Sequence, residues 1–163
     1  MTRQEVPRKV WGYARRIFNQ GLGRSLWFLE GAEVERVAAT IVAFAEGRRD
    51  DLWSGAAIAA AYAGGIDADA LVRLREASGR HLRAVAQGAT FAAYARREAG
   101  SPAEHTDVAC RALCDRSAAE AAGVVEAAAV DLPTGGPEPA YEIWRRRIQE
   151  RLDPHAALAA AAI

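Results

Sequence analysis

The stretch NQGLGRSLWFLEG (residues 19–31) returns in altered form as LWSGAAIAAAYAGG (52–65) and again as RAVAQGATFAAYARREAG (83–100). Each copy places a glycine near a small polar residue and large rings a few positions later. Gly21, Gly55 and Gly88 mark a period of about 34 residues, and each unit then carries a second, more polar helical stretch. Two helices per unit at that period is the pattern of stacked helical hairpins. Glycine inside a helix costs about 1 kcal/mol relative to alanine. Close approach of neighbouring helix backbones offsets such a cost, and the alanines that follow suit the same tight packing. The tetratricopeptide consensus is not matched in register, so only its geometry is expected.

The rest of the chain is also helical in pattern. Alternation of apolar and polar residues does not persist, so strands are not expected. Residues Trp11, Ala14, Phe18, Leu22, Ser25 and Leu29 step by three or four. So do Val34, Val37, Ala38, Ile41 and Phe44, then Leu82, Val85, Ala89, Ala92 and Ala93, and last Tyr141, Trp144, Ile148 and Leu152. Ser101-Pro102-Ala103-Glu104 and Ser117-Ala118-Ala119-Glu120 read as capping boxes. Asp50 and Asp67 read as N-caps, and Gly64, Gly65 and Gly100 as helix stops. The expected fold is all-α, a solenoid-like stack of antiparallel helical hairpins with seven or eight helices. One domain is expected, made of a hairpin-repeat region (1–130), a loop DLPTGGPEP (131–139) and a C-terminal helix with a weak or frayed tail (140–163).

Composition narrows the function classes. The 163 residues carry 21 basic and 21 acidic side chains, so no net field draws the chain to nucleic acid or to an anionic membrane. Lys9 is the only lysine and Asn19 the only asparagine, the usage of a GC-rich genome. The first residues lack the apolar core of a secretory signal, and no apolar run approaches the roughly 18 residues of a membrane span. A cytoplasmic setting is expected. Cys110 and Cys114 lie one helical turn apart, a spacing ill suited to a disulfide, and read as buried thiols. His105, Asp107, Cys110 and Cys114 match no standard zinc spacing, so no metal and no cofactor is expected. The basic run WRRRIQER (144–151) reads as a solvated helix face with Glu142 and Glu150 as partners. No phosphate loop, nucleophile elbow, zincin motif or dinucleotide fingerprint occurs.

The densest group of chemistry-bearing residues is Arg24, Trp27, Glu30, Trp53, Ser54 and Tyr62. If the hairpins stack, these six line one concave wall of rings with a few polar groups. Such a wall suits an extended, largely apolar ligand or a partner's helix.

The blocks QGLGRSLWFLEGA (20–32), EVERVAATIVAF (33–44), RDDLWSG (49–55) and AYAGG (61–65) carry a family resemblance. So do the later QGATFAAYAR (87–96), HTDVACRALC (105–114) and YEIWRRRI (141–148). With them, the chain from about residue 13 onward resembles the C-terminal half of a bacterial domain-of-unknown-function family described as enediyne biosynthesis proteins. The resemblance implies an actinobacterial gene cluster beside an iterative polyketide synthase. It also implies full-length relatives about twice this long, whose N-terminal half is absent here, so that a separate N-terminal subunit or a homodimer could complete the surface. It brings no catalytic residue.

Two functions therefore compete. The first is an accessory protein that binds a polyene intermediate or docks on the synthase. The second is an enzyme that folds or cyclises a polyene, with Arg24, Glu30, Ser54 or Tyr62 converging in a deep pocket. A helical scaffold for protein interactions is the third reading.

Overall fold

The structure is a computed structural model and describes residues 5–7 and 9–153. Among the described residues there are eight α-helices, one short 3-10 turn at Gly79–His81 and no strand. The helices are α1 (Ala14–Leu29), α2 (Val34–Val42), α3 (Glu46–Ala63), α4 (Ala68–Ala77), α5 (Leu82–Glu98), α6 (Glu104–Cys114), α7 (Ala118–Ala129) and α8 (Ala140–Leu152). No helix among the described residues is long and apolar enough to cross a membrane. The expected C-terminal tail lies outside the described residues.

The helices form two rows. In the first, α1 packs on α3, α3 on α5 and α5 on α7; in the second, α2 packs on α4 and α4 on α6. Helix α8 lies across α5 and α7. Helix α3 is the centre of the first row and buries Asp51 through Ala57 without a break. A helix enclosed on all sides has no amphipathic stripe to read.

Glycine sets the spacing within the first row. A Cβ built on Gly23 would stand 2.1 Å from the Leu52 carbonyl oxygen, one on Gly55 2.0 Å from the Gln20 carbonyl oxygen, and one on Gly88 2.3 Å from the Ser54 carbonyl oxygen. No side chain fits at those separations, so the backbones approach as only glycine allows. The contact-making glycine of α1 is thus Gly23, not Gly21. Gly21 faces outward with nothing within 4 Å of its would-be Cβ.

The α1 stripe is corrected for the same reason. Trp11, Ala14, Ser25 and Leu29 are exposed, whereas α1 buries Asn19, Gln20, Gly23, Leu26 and Trp27. A face that must sit close to another helix is built of small and hydrogen-bonding residues, so apolar periodicity points to the wrong side. The stripe of α2 holds, with Val34, Val37, Ile41 and Phe44 buried.

Helix ends follow local chemistry in part. Asp67 accepts a hydrogen bond from the Ala70 N–H at 2.7 Å and caps α4, and Ser117 with Glu120 forms the expected box on α7. Gly64 and Gly100 close α3 and α5 with φ of 69° and 60°. The expected box at 101–104 is absent: Ala103 is the N-cap of α6 and offers no side-chain acceptor. Asp50 lies inside α3 rather than at its start, because the helix begins a turn earlier at Glu46.

Candidate functional site

The six residues singled out from the sequence occupy several environments rather than one wall. Trp27 and Trp53 are each 1% exposed and belong to the main core. Glu30 caps the end of α1, where it accepts from the Thr40 hydroxyl at 3.1 Å and pairs with Arg36 at 3.5 Å. Arg24 is exposed on the outer side of α1. Tyr62, at the end of α3, is partly exposed, with the Arg96 guanidinium 4.2 Å above its ring.

Ser54 belongs to a buried polar chain. The Tyr141 hydroxyl donates to Gln20 Oε1 (2.8 Å), Gln20 Nε2 donates to the Ser54 hydroxyl (3.0 Å), and that hydroxyl donates to Gln87 Oε1 (2.9 Å). Gln20, Ser54 and Gln87 are separated by 34 and 33 residues, one from each of α1, α3 and α5. This is the period of the sequence repeat, carried by the polar residues rather than by Gly21. Ser54 and Gln87 are fully buried, so the chain joins helices and does not face a cavity. Burial raises the ionisation point of the Tyr141 hydroxyl, which stays a donor.

A second buried cluster ties α8 to the first row. Arg145 is 1% exposed and donates from Nη2 to Asp51 at 2.8 Å. Arg16 reaches the same carboxylate at 3.1 Å and also pairs with Glu142, to which the Tyr13 hydroxyl donates at 3.1 Å. The run 144–151 is therefore not a uniformly solvated face. Arg146 is exposed and pairs with Glu138, but Arg145 is enclosed. Phe91, Tyr94, Tyr141 and Trp144 pack beside this cluster: Phe91 stacks on Tyr141, and Trp144 meets the other rings tilted or edge-on, with Phe91 and Trp144 centroids 5.0 Å apart.

Open space lies elsewhere. A cleft of about 480 Å³ runs between α5, α6 and α7, a size in the usual range of small-molecule sites, roughly 300–1,000 Å³. Its walls are small and apolar: Ala93 from α5, Pro102 before α6, and Ala118 and Ala122 from α7. Arg96 and Arg97 stand along its α5 edge. Arg96 donates to the Tyr62 carbonyl at 2.7 Å, and its Nε has no hydrogen-bond partner. Arg97 pairs with Glu126 at 3.2 Å and covers the Tyr94 ring. Asp107 also lines the cleft, but its carboxylate is engaged: the Ala118 N–H (2.7 Å) and Arg111 (2.8 Å) donate to it and hold its pKa below the usual carboxylate value. It stays ionised and is no proton donor near neutral pH. The arrangement can hold an elongated apolar molecule, with Arg96 and Arg97 on the α5 edge facing the Glu104 and Asp107 carboxylates of α6.

The cysteines sit on the buried side of α6. The Cys114 thiol donates to the Cys110 carbonyl at 3.1 Å, and the Cys110 thiol is 3.6 Å from the Ala89 carbonyl. The neighbouring Cys114 and burial push the Cys110 thiol well up, the behaviour of a packing residue rather than a nucleophile. Among the described residues no three His, Cys, Asp or Glu side chains gather as a metal site.

Sequence reading missed the cleft. Its walls are alanines, which carry no motif, and only the folded arrangement of α5, α6 and α7 opens it. Arg96 and Arg97 were visible only as charges at the end of a helix.

The fold and cleft define an all-helical stacked-hairpin protein with an apolar, arginine-edged groove. The chain belongs to the DUF1702 family, described as a protein of unknown function, which matches residues 1–152. No curated protein and no solved structure matches it.

Proposed function

We propose that this chain is an accessory binding protein of enediyne-type polyketide biosynthesis. It acts in the cytoplasm beside the synthase and holds a polyene intermediate in the α5–α6–α7 cleft. The biosynthetic setting comes from the sequence resemblance, and membership of the DUF1702 family is compatible with it. The observation that carries the binding role is the cleft itself, walled by Ala93, Pro102, Ala118 and Ala122 and edged by two arginines. A conjugated chain is flat, rigid and apolar, so it loses little conformational freedom on entering such a groove. A carboxylate at its end suits a guanidinium, whose donors match the two oxygens.

The test uses a fluorescent conjugated tetraene fatty acid and the purified chain. Saturable binding is expected, weakened severalfold by Arg97→Glu and lost on Ala119→Trp, which fills the cleft from an exposed wall position. Equal affinity of the wild type and Ala119→Trp would remove the cleft as the site. In a producing strain lacking this gene, a wild-type copy should restore the metabolite profile and an Ala119→Trp copy should not.

A further inference from the structure

The cleft shares two of its helices with a second packed space. Helices α5 and α7 wall the cleft with Ala93, Ala118 and Ala122. With other faces they hold a small core against α8, where Phe91, Tyr94 and Trp144 pack on Val125, Ala128 and Ile148. No residue belongs to both spaces. Trp144 bridges the two helices from the α8 side. Its ring centroid lies 5.0 Å from that of Phe91 and 6.1 Å from that of Tyr94, both on α5, and its Nε1 donates to the Val125 carbonyl of α7 at 2.8 Å.

These contacts reach the cleft within one helical turn. The Arg97 guanidinium lies 5.3 Å over the Tyr94 ring. Arg97 lines the cleft and pairs with Glu126 of α7 at 3.2 Å. On α7, Ala122 at the cleft and Val125 beneath Trp144 are three residues apart, neighbours on the helix surface. A change in how Trp144 sits is therefore felt at both walls.

Helix α8 reaches this seat across the loop 131–139, with its prolines and glycines, and buries only Arg145 and Ile148. The seat is incompletely paired. Arg145 Nε is buried without a hydrogen-bond partner among the described residues, and so is Gln87 Nε2, at the far end of the polar chain that begins at Tyr141. Unpaired buried donors penalise the docked state. A ligand that prefers one of two closely balanced states shifts the balance towards it.

We infer that Trp144 is a positioning residue for the cleft: wedged between α5 and α7, it fixes the spacing of the two walls and the seat of Arg97, and so couples docking of α8 to occupancy of the cleft. The inference rests on the reading of the cleft as a ligand site. It makes α8 a regulatory strap. Loosening the strap lowers affinity, and a bound polyene tightens the strap, because the coupling is reciprocal.

The test uses the full chain and the fluorescent tetraene fatty acid. Trp144→Leu should weaken tetraene binding at least about fivefold. Trp144→Phe keeps an aromatic ring but loses the bond to Val125, and should fall between. Ile41→Val, a buried change on α2, also lowers stability but should leave affinity unchanged, so a weaker fold alone does not imitate the effect. In hydrogen exchange, saturating tetraene should slow the α8 amides more than those of α2. A second measurement needs no ligand. In urea denaturation, Trp144→Leu and Arg97→Ala should combine non-additively, by at least about threefold in the unfolding constant, and Tyr94→Leu should abolish the excess. Wild-type affinity in Trp144→Leu, an equal loss in Ile41→Val, α8 exchange indifferent to the tetraene, or an additive cycle overturns the inference. If the wild type binds no tetraene, the reading of the cleft as a polyene site fails by itself. The cycle then still decides the wedge: non-additivity that needs Tyr94 upholds it, and additivity overturns it.

Discussion

Gly23 of α1 and Leu52 of α3 meet backbone to backbone: a methyl group on Gly23 would lie 2.1 Å from the Leu52 carbonyl oxygen. The neighbour here is main chain, which cannot rotate away. Gly55 against Gln20 and Gly88 against Ser54 repeat the relationship.

Alanine at Gly23, Gly55 or Gly88 should therefore destabilise the protein by more than about 2 kcal/mol, at the upper end of overpacking costs. Alanine at Gly21 should do the opposite and stabilise by about 0.5–1 kcal/mol, since only helix propensity changes there. Urea denaturation of the four variants reads both signs. Loss of stability in Gly21→Ala comparable to that in Gly23→Ala would contradict the packing described.

Ser54 lies between two amides, so its removal affects both. In Ser54→Ala the Gln20 Nε2 donor and the Gln87 Oε1 acceptor lose their buried partner. A cost of about 1–3 kcal/mol per unsatisfied group is expected. Thermal melting should show Ser54→Ala well below wild type, while Ser25→Ala, whose hydroxyl bonds the exposed Gly21 carbonyl, should melt near it.

What could be read from the sequence follows from how each helix is buried. Helix α2 is covered on one side only, so its apolar stripe named its core residues. Helices α1 and α3 meet through glycine, serine and glutamine, and the apolar stripe of α1 misled because that face needs small residues more than greasy ones. The repeat was legible because three close contacts need similar residues at similar spacing. Its phase was not, since Gly21 and Gly23 look alike in a string and differ only in what stands opposite. The Asp51–Arg145 pair spans 94 residues and has no local signature. Tyr62 lies near the cleft only through Arg96, while Arg24, Trp27, Glu30, Trp53 and Ser54 serve other parts of the fold.

Asp107 should contribute to acid sensitivity. Its carboxyl is held below the usual value by the Ala118 N–H and then by Arg111. A depressed folded-state pKa adds stability above the unfolded value, near 3.9, and that contribution disappears as pH falls through the folded value. Asp107→Asn should therefore be less stable than wild type at pH 7. The gap should narrow as pH falls below about 4, where the carboxyl of the unfolded chain binds its proton before that of the folded protein does. Guanidinium titrations at pH 7 and pH 3 measure it, and a gap that stays constant would mean that the charge contributes nothing.

The enclosed Asp51–Arg145 pair, 2.8 Å apart with both side chains 2% exposed, predicts a non-additive double mutant. Asp51→Ala leaves Arg145 buried beside Glu142, whose nearest approach is 3.6 Å, and should cost about 3–5 kcal/mol, the usual result of stranding one buried charge. Arg145→Met leaves Asp51 with the partly exposed Arg16 and should cost less. Replacing both by apolar residues removes the stranded charge, so Asp51→Ala with Arg145→Met should be destabilised by less than the sum of the single changes. Because Arg145 fastens α8 to α3, the Asp51→Ala chain should also be cut faster by protease in the 131–139 loop. A double mutant as unstable as the sum, with unaltered cleavage in Asp51→Ala, would show that α8 is held by its aromatic contacts with Phe91 and Tyr94 instead.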